Sequence, residues 1–341
     1  MRRIWDDVNA RARGLANRLL GRAGIEQLAA ATSVVELAHE LERAGYPGAG
    51  RGTSPEALER TVGANAQRQL SILIRWCRER TQFLPIVFED EDRRSLRALI
   101  RGATASVPSG RRLRGLVPTA ALPRKALEEL ARLSTPAEIA ATLTVWHNPY
   151  GEAIREEAAR THPSLFRMEL AINRLFAVRG ARGGKKGGRD LRAFVEESID
   201  LENAVAALVL STSESEPAES LEPAACFVEG GRRLDRETFS VAALSDDAHG
   251  AHRVLASVFA GTDFERAFEG RSEVGWDVEL ALFRVRLEAL VKRARRDPLS
   301  VLPILAFVFR ARAEGLDLRN LIWARALGAG PGDTVLEFLS V

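Results

Sequence analysis

The stretch Arg179–Arg189, RGARGGKKGGR, has the composition of a phosphate cradle. Glycines let backbone amides approach an anion, and cations neutralise it. The register does not fit. A Walker loop runs Gly-x-x-x-x-Gly-Lys-Ser/Thr, but Arg179 stands at the first glycine and Lys186 where the hydroxyl belongs. No strand pattern precedes it. The stretch is expected to be a flexible surface loop, dispensable for folding. Its cations Arg179, Arg182, Lys185, Lys186 and Arg189 could attract acidic lipid headgroups if they faced a membrane.

Asp246, Asp247, His249 and His252 could supply zinc ligands, since histidines three apart share a helix face. Gly250 interrupts them, however, and no distant Cys or His set completes a shell. Asp at that place reads instead as a helix cap. His39, His147 and His162 are isolated, and no nucleophile elbow, Ser-His-Asp order or carboxylate pair stands out. Cys77 and Cys226 lack metal spacing and read as reduced thiols. No catalytic residue, cofactor or metal is expected.

One polar pattern recurs. Asp92-x-x-Ser95, Asp200-x-x-Asn203 and Asp317-x-x-Asn320 each open a helical run, separated by about a third of the chain. Each aspartate is expected to cap its helix, and Asn203 and Asn320 to tie theirs to a neighbour. Asp317 would begin the second of two helices joined at Glu314-Gly315.

The elements that carry these residues are helices. Ala, Leu, Arg and Glu at helical spacing dominate, and alternating β-branched runs are scarce. Two further landmarks accompany each Asp helix. One is an Arg-rich start, Asn9–Arg13, Gly110–Leu113 or Gly231–Leu234. The other is a short helix ending in an aromatic turn at Tyr46, Tyr150 or Phe264. The same order three times predicts an internal triplication, with repeats over 1–104, 105–212 and 213–341. Their best-matching parts should lie near 25–102, 130–210 and 245–328. The acidic stretch Ser211–Glu222 reads as a loop.

At 341 residues with 46% hydrophobic content, the chain can bury a large core. Lys and Arg number 49 against 46 Asp and Glu, and acids are interleaved with the bases, which argues against nucleic acid as a partner. The N-terminal residues lack the apolar run of a signal peptide, and Leu299–Phe309 is about half the roughly 20 residues of a membrane span.

With NARARGLANRLL, ESIDLENAVAAL, GGRRL, GTDF and DPLSVLPILAFVF…LDLRNLIWARALG in this order, the chain resembles the C-type central-stalk subunits of V/A-type rotary ATPases, whose counterpart in the eukaryotic pump is the d-type subunit. It departs from that pattern at Ile322, at the turn NPY and at Ser95. The resemblance implies an all-α fold of three similar helical domains in a pseudo-threefold, funnel-like arrangement. It implies a non-catalytic central-stalk rotor subunit, between shaft subunits of the D and F type and the membrane proteolipid ring, working in H⁺ or Na⁺ transport. Such a part is peripheral on the cytoplasmic face and needs no cofactor. The alternative is a helical scaffold or nucleic-acid-binding adaptor unrelated to a rotary ATPase.

Overall fold

The computed structural model describes residues 4–51, 54–212, 222–268 and 276–330. Among the described residues every regular element is helical. In chain order they begin with α1 Asp6–Ala16, α2 Gly21–Ala29, α3 Val34–Arg43, α4 Pro55–Cys77, α5 Pro85–Phe88 and α6 Asp90–Thr104. Next come α7 Ser109–Arg112, α8 Arg124–Arg132, α9 Pro136–Val145, α10 Pro149–Ala158, α11 Leu165–Gly187 and α12 Arg189–Thr212. The last are α13 Pro223–Cys226, α14 Arg236–Ala243, α15 Ala248–Val258, α16 Glu265–Phe268, α17 Trp276–Arg296 and α18 Leu302–Ala326.

Local chemistry sets the starts of the short helices. Ser33, Thr135 and Asp247 lie in extended backbone just before α3, α9 and α15, and each side chain accepts from an amide of the first turn. Thr135 and Glu138 complete a capping box, satisfying two donors that the helix cannot. The three helices run into turns whose aromatics Tyr46, Tyr150 and Phe264 are buried. Long helices of 23, 23 and 21 residues follow, α4, α11 and α17. The Asp helices come after them: α6, with the short α5 between, then α12 and α18.

Contacts divide the chain into two compact units, bounds that differ from the three tandem repeats of the sequence reading. One comprises Met1–Thr81, Val87–Glu152 and Pro298–Val341; the other comprises Gln82–Ile86 and Ala153–Asp297. The reason lies in what each Asp helix covers. Helix α6 packs on α8 and α9, α12 on α14 and α15, and α18 on α2 and α3. Each therefore leans on the short helices of the segment that follows it in sequence, and the last returns to the first.

In the first unit, Leu37, Leu41 and Leu58 form one apolar cluster with Leu318, Leu321 and Ile322 of α18. Burying such side chains contributes roughly 1.5–3 kcal/mol each, so the two ends of the chain are joined by core packing. The second unit is centred on aromatics. Phe259 and Phe268 stack with ring centroids 5.1 Å apart, and Phe264 meets Phe259 edge-on at 6.1 Å. Among the described residues no helix is long and apolar enough to cross a membrane.

Two expectations about elements are corrected. Residues 179–187 are not a loop but the last turns of α11, with Gly180, Gly183, Gly184 and Gly187 buried. Their lack of side chains serves packing: a Cβ on Gly183 would sit 2.7 Å from the Phe83 carbonyl oxygen. One on Gly180 would sit 2.7 Å from Ile86 Cδ1. Nor do two helices meet at Glu314-Gly315, since α18 runs through both. From 213 to 221, the acidic stretch Ser211–Glu222 lies outside the described residues.

Candidate functional site

All the recurrent polar positions except Asn320 are buried on the Asp helices, and in α12 they form a clamp. Asp200 sits mid-helix, so it is not the cap that its spacing suggested. Its carboxylate accepts the backbone N–H groups of Arg232 and Arg233 at 3.0 Å and of Leu234 at 3.2 Å. One turn on, Asn203 donates to the Val228 carbonyl at 2.8 Å and accepts from the Val228 N–H at 2.9 Å. Both side chains are 1% exposed. Burial pushes the Asp200 carboxyl upward in pKa, and the three amides pull against it. Gly231 makes the approach possible, for a Cβ there would lie 2.1 Å from Asp200 Oδ1. The Gly-Arg-Arg-Leu landmark of one segment is thus the ligand of the Asp-x-x-Asn landmark before it.

Helix α6 carries a leaner version. Asp92 is buried in the first turn and accepts from the Thr119 hydroxyl, which itself accepts the Leu122 N–H at 3.0 Å. Burial, with Glu89 and Glu91 close by, pushes the Asp92 carboxyl up to about 7 in spite of that hydrogen bond. Ser95 is buried. Two residues before Asp92, Asp90 meets Arg93 at 2.7 Å and Arg312 of α18 at 2.5 Å. Burial opposes its charge, but Arg312 and Arg93 prevail and hold it at about 2.

Helix α18 assembles its joint from other residues. Asp317 is buried mid-helix, again not at a cap, while Asn320 is exposed and ties nothing from within. The contacts come from Glu314, which accepts the Leu20 N–H and, at 2.5 Å, the Tyr46 hydroxyl. Burial pushes the Glu314 carboxyl upward in pKa, opposed by these two donors. Arg325 donates to the carbonyls of Ala29 and Ala31, each at 2.6 Å, closing the C-terminal end of α2. Arg319 donates to the Gly115 carbonyl at 3.1 Å, and Trp323 to Glu59 at 3.1 Å. Glu314 and Arg325 were missed as site residues. The signal was their helical spacing with Asp317, Leu318 and Leu321 on one buried face.

The Arg-rich start of the chain has a comparable role. Asn9 donates to the Ser300 carbonyl at 2.7 Å and Arg13 to the Pro298 carbonyl at 3.1 Å, holding the entry to α18. Many of these groups bond to backbone, and others to side chains of a neighbouring element. They fix loops against helices.

The other candidates disperse. His252 is buried against Phe268, whereas His249 is exposed and Asp247 accepts the Gly250 N–H at 2.6 Å as a helix cap. Among the described residues no group of three or more His, Cys, Asp or Glu could hold a metal ion. Cys77 and Cys226 are free and buried, and burial raises both thiols, Cys77 to about 12. Of the basic residues, Arg182, Lys185, Lys186 and Arg189 are exposed along α11 and at the start of α12, and Arg179 is half-buried.

The profile of the ATP synthase (C/AC39) subunit matches residues 8–331. The C subunit of the A-type ATP synthase of Archaeoglobus fulgidus is 23% identical over 347 residues, covering 96% of this chain and 94% of the relative. The extent of the profile match, across α1 to α18, shows that the chain belongs to the ATP synthase (C/AC39) subunit family.

Proposed function

We propose that the chain is a non-catalytic central-stalk subunit of a V/A-type ATPase or ATP synthase. In this reading it joins rotor shaft subunits of the D and F type to the membrane proteolipid ring, peripheral on the cytoplasmic face, during H⁺ or Na⁺ transport. The three repeats would form a pseudo-threefold funnel, a shape suited to receiving a shaft. The observation that carries the reading is family membership along residues 8–331. The polar joints support it physically. A torque-passing part must resist shear between helices, and buried hydrogen bonds to backbone resist sliding in a way that apolar contact alone does not.

Affinity purification of the tagged chain from native membranes tests this. Shaft and proteolipid subunits should elute with it. Recovery of the chain with nucleic acid, or with neither type of subunit, would overturn the rotor reading. A second measurement addresses coupling. In reconstituted vesicles, Asn203→Ala should lower ions moved per ATP while leaving hydrolysis by the detached catalytic head unchanged.

A further inference from the structure

The C-terminal half of α11 has two opposed edges. Phe176, Gly180, Gly183 and Gly187 are buried on one. On the other, Arg174, Val178, Arg182 and Lys185 are exposed at helical steps, with Lys186 and Arg189 beside them. No Asp or Glu occurs between Leu170 and Arg189. Exposed arginines on other helices meet a carboxylate one turn away, as in Arg22–Glu26, Arg124–Glu128 and Arg192–Glu196. Arg182, Lys185, Lys186 and Arg189 form no ion pair with any described residue.

Helix-end electrostatics explain part of this cluster. Cations in the last turn of α11 suit its partly negative C-terminus, which accounts for Lys185 and Lys186. Arg189 opens α12, where the helix end is partly positive and a cation is disfavoured. Arg182 lies more than a turn from the end of α11. Asp190 follows Arg189 in the first turn of α12, but the cations from Arg174 to Lys186 are gathered with no acid among them, and the glycine packing holds them there. A Cβ on Gly187 would lie 2.2 Å from Leu191 Cδ2, so the two helices meet closely at this corner.

We propose that this face docks on the anionic headgroups of a lipid bilayer. Lysines on flexible stems suit a diffuse anionic surface, and the exposed Val178 beside them suits the headgroup boundary. No aromatic residue lies between Ala177 and Ala193 to stack a base, which disfavours single-stranded nucleic acid. The proposal rests on the rotor reading only for placing a membrane within reach. Its test uses the full chain alone, so it can fail or succeed independently of that reading.

The purified chain is sedimented with vesicles of phosphatidylcholine mixed with phosphatidylglycerol, and with pure phosphatidylcholine as reference. Binding is expected to the mixed vesicles at low ionic strength and to be lost as salt is raised. Each neutralised cation should lower partitioning about fivefold, so Lys185→Gln with Lys186→Gln lowers it roughly 25-fold, with Tm unchanged. Lys292→Gln with Arg295→Gln removes the same charge from exposed positions on α17 and should change partitioning less than about twofold. Absence of binding to the mixed vesicles overturns the proposal. Equal losses in the two double variants also overturn it, since net charge alone would then be responsible. Preference for polyglutamate or duplex DNA over the mixed vesicles would reassign the face to an acidic protein or to nucleic acid.

Discussion

Helices α12 and α18 carry the same Asp-x-x-Asn pattern, yet they use it differently. In α12 both members are buried and hold a loop by its backbone, Asp200 on the amides of Arg232 to Leu234 and Asn203 on both polar groups of Val228. In α18 Asp317 is buried but Asn320 faces solvent, and Glu314 and Arg325 make the contacts to Leu20, Tyr46, Ala29 and Ala31. A repeated motif thus marks where a helix meets its neighbour. It does not fix which side chain makes the bond, because that depends on the loop opposite.

Removing the α12 clamp should have the largest effect. Asp200→Ala leaves the N–H groups of Arg232, Arg233 and Leu234, the last of them buried, without that acceptor and is expected to cost about 4 kcal/mol in chemical denaturation. A loss below about 1 kcal/mol would mean that water or rearrangement satisfies those amides, and the contrast with α18 would weaken.

The acid of α6 extends the comparison through pH. Asp92 has one hydroxyl where Asp200 has three amides, and its folded pKa, about 7, lies above the ordinary aspartate value of 3.8. A raised pKa means that the folded state holds the proton more tightly. The associated stability is full below about pH 4 and is lost as pH rises through about 7. Asp92→Asn, neutral at every pH and still an acceptor for Thr119, should remove a drift of about 4 kcal/mol. Melting curves at several pH values that keep the same drift in the variant would assign it elsewhere.

Gly183→Ala asks whether the corner between α11 and the 83–86 segment is as tight as its geometry implies. The added methyl meets a backbone oxygen at 2.7 Å, so something must shift, and a loss of about 2 kcal/mol is expected. A flexible basic loop would tolerate the change and leave Tm where it was.

The smallest effects separate α12 from α18 most directly. Asn203→Ala strands both polar groups of Val228 and should cost about 2 kcal/mol, while Asn320→Ala should stay within about 0.5 kcal/mol. Equal losses from the two substitutions would erase the distinction.

Much of this molecule was legible beforehand. Helical periodicity is a local property, so the all-α class followed from Ala, Leu, Arg and Glu spacing without knowledge of contacts. The short-helix caps were legible too, as Asp247 illustrates, because an N-cap concerns one residue and the amides just beyond it. The motifs from NARARGLANRLL to LDLRNLIWARALG, in order, carried the resemblance to the family that the profile match established.

Other features depended on partners far along the chain. Gly180, Gly183, Gly184 and Gly187 read as flexibility until Ile86, Phe83 and α12 supplied the surfaces that make an absent side chain favourable. Asp200 read as a cap because nothing within its own helix could show that residues 232–234 would present three amides to it. Glu314 read only as part of a helix junction, and Arg325 was assigned no role, until Tyr46, Ala29 and Ala31 arrived from the opposite end of the sequence. Spacing fixes where a polar side chain points on its helix; only tertiary packing decides what stands opposite it, and a buried group is stabilised only when that partner is present.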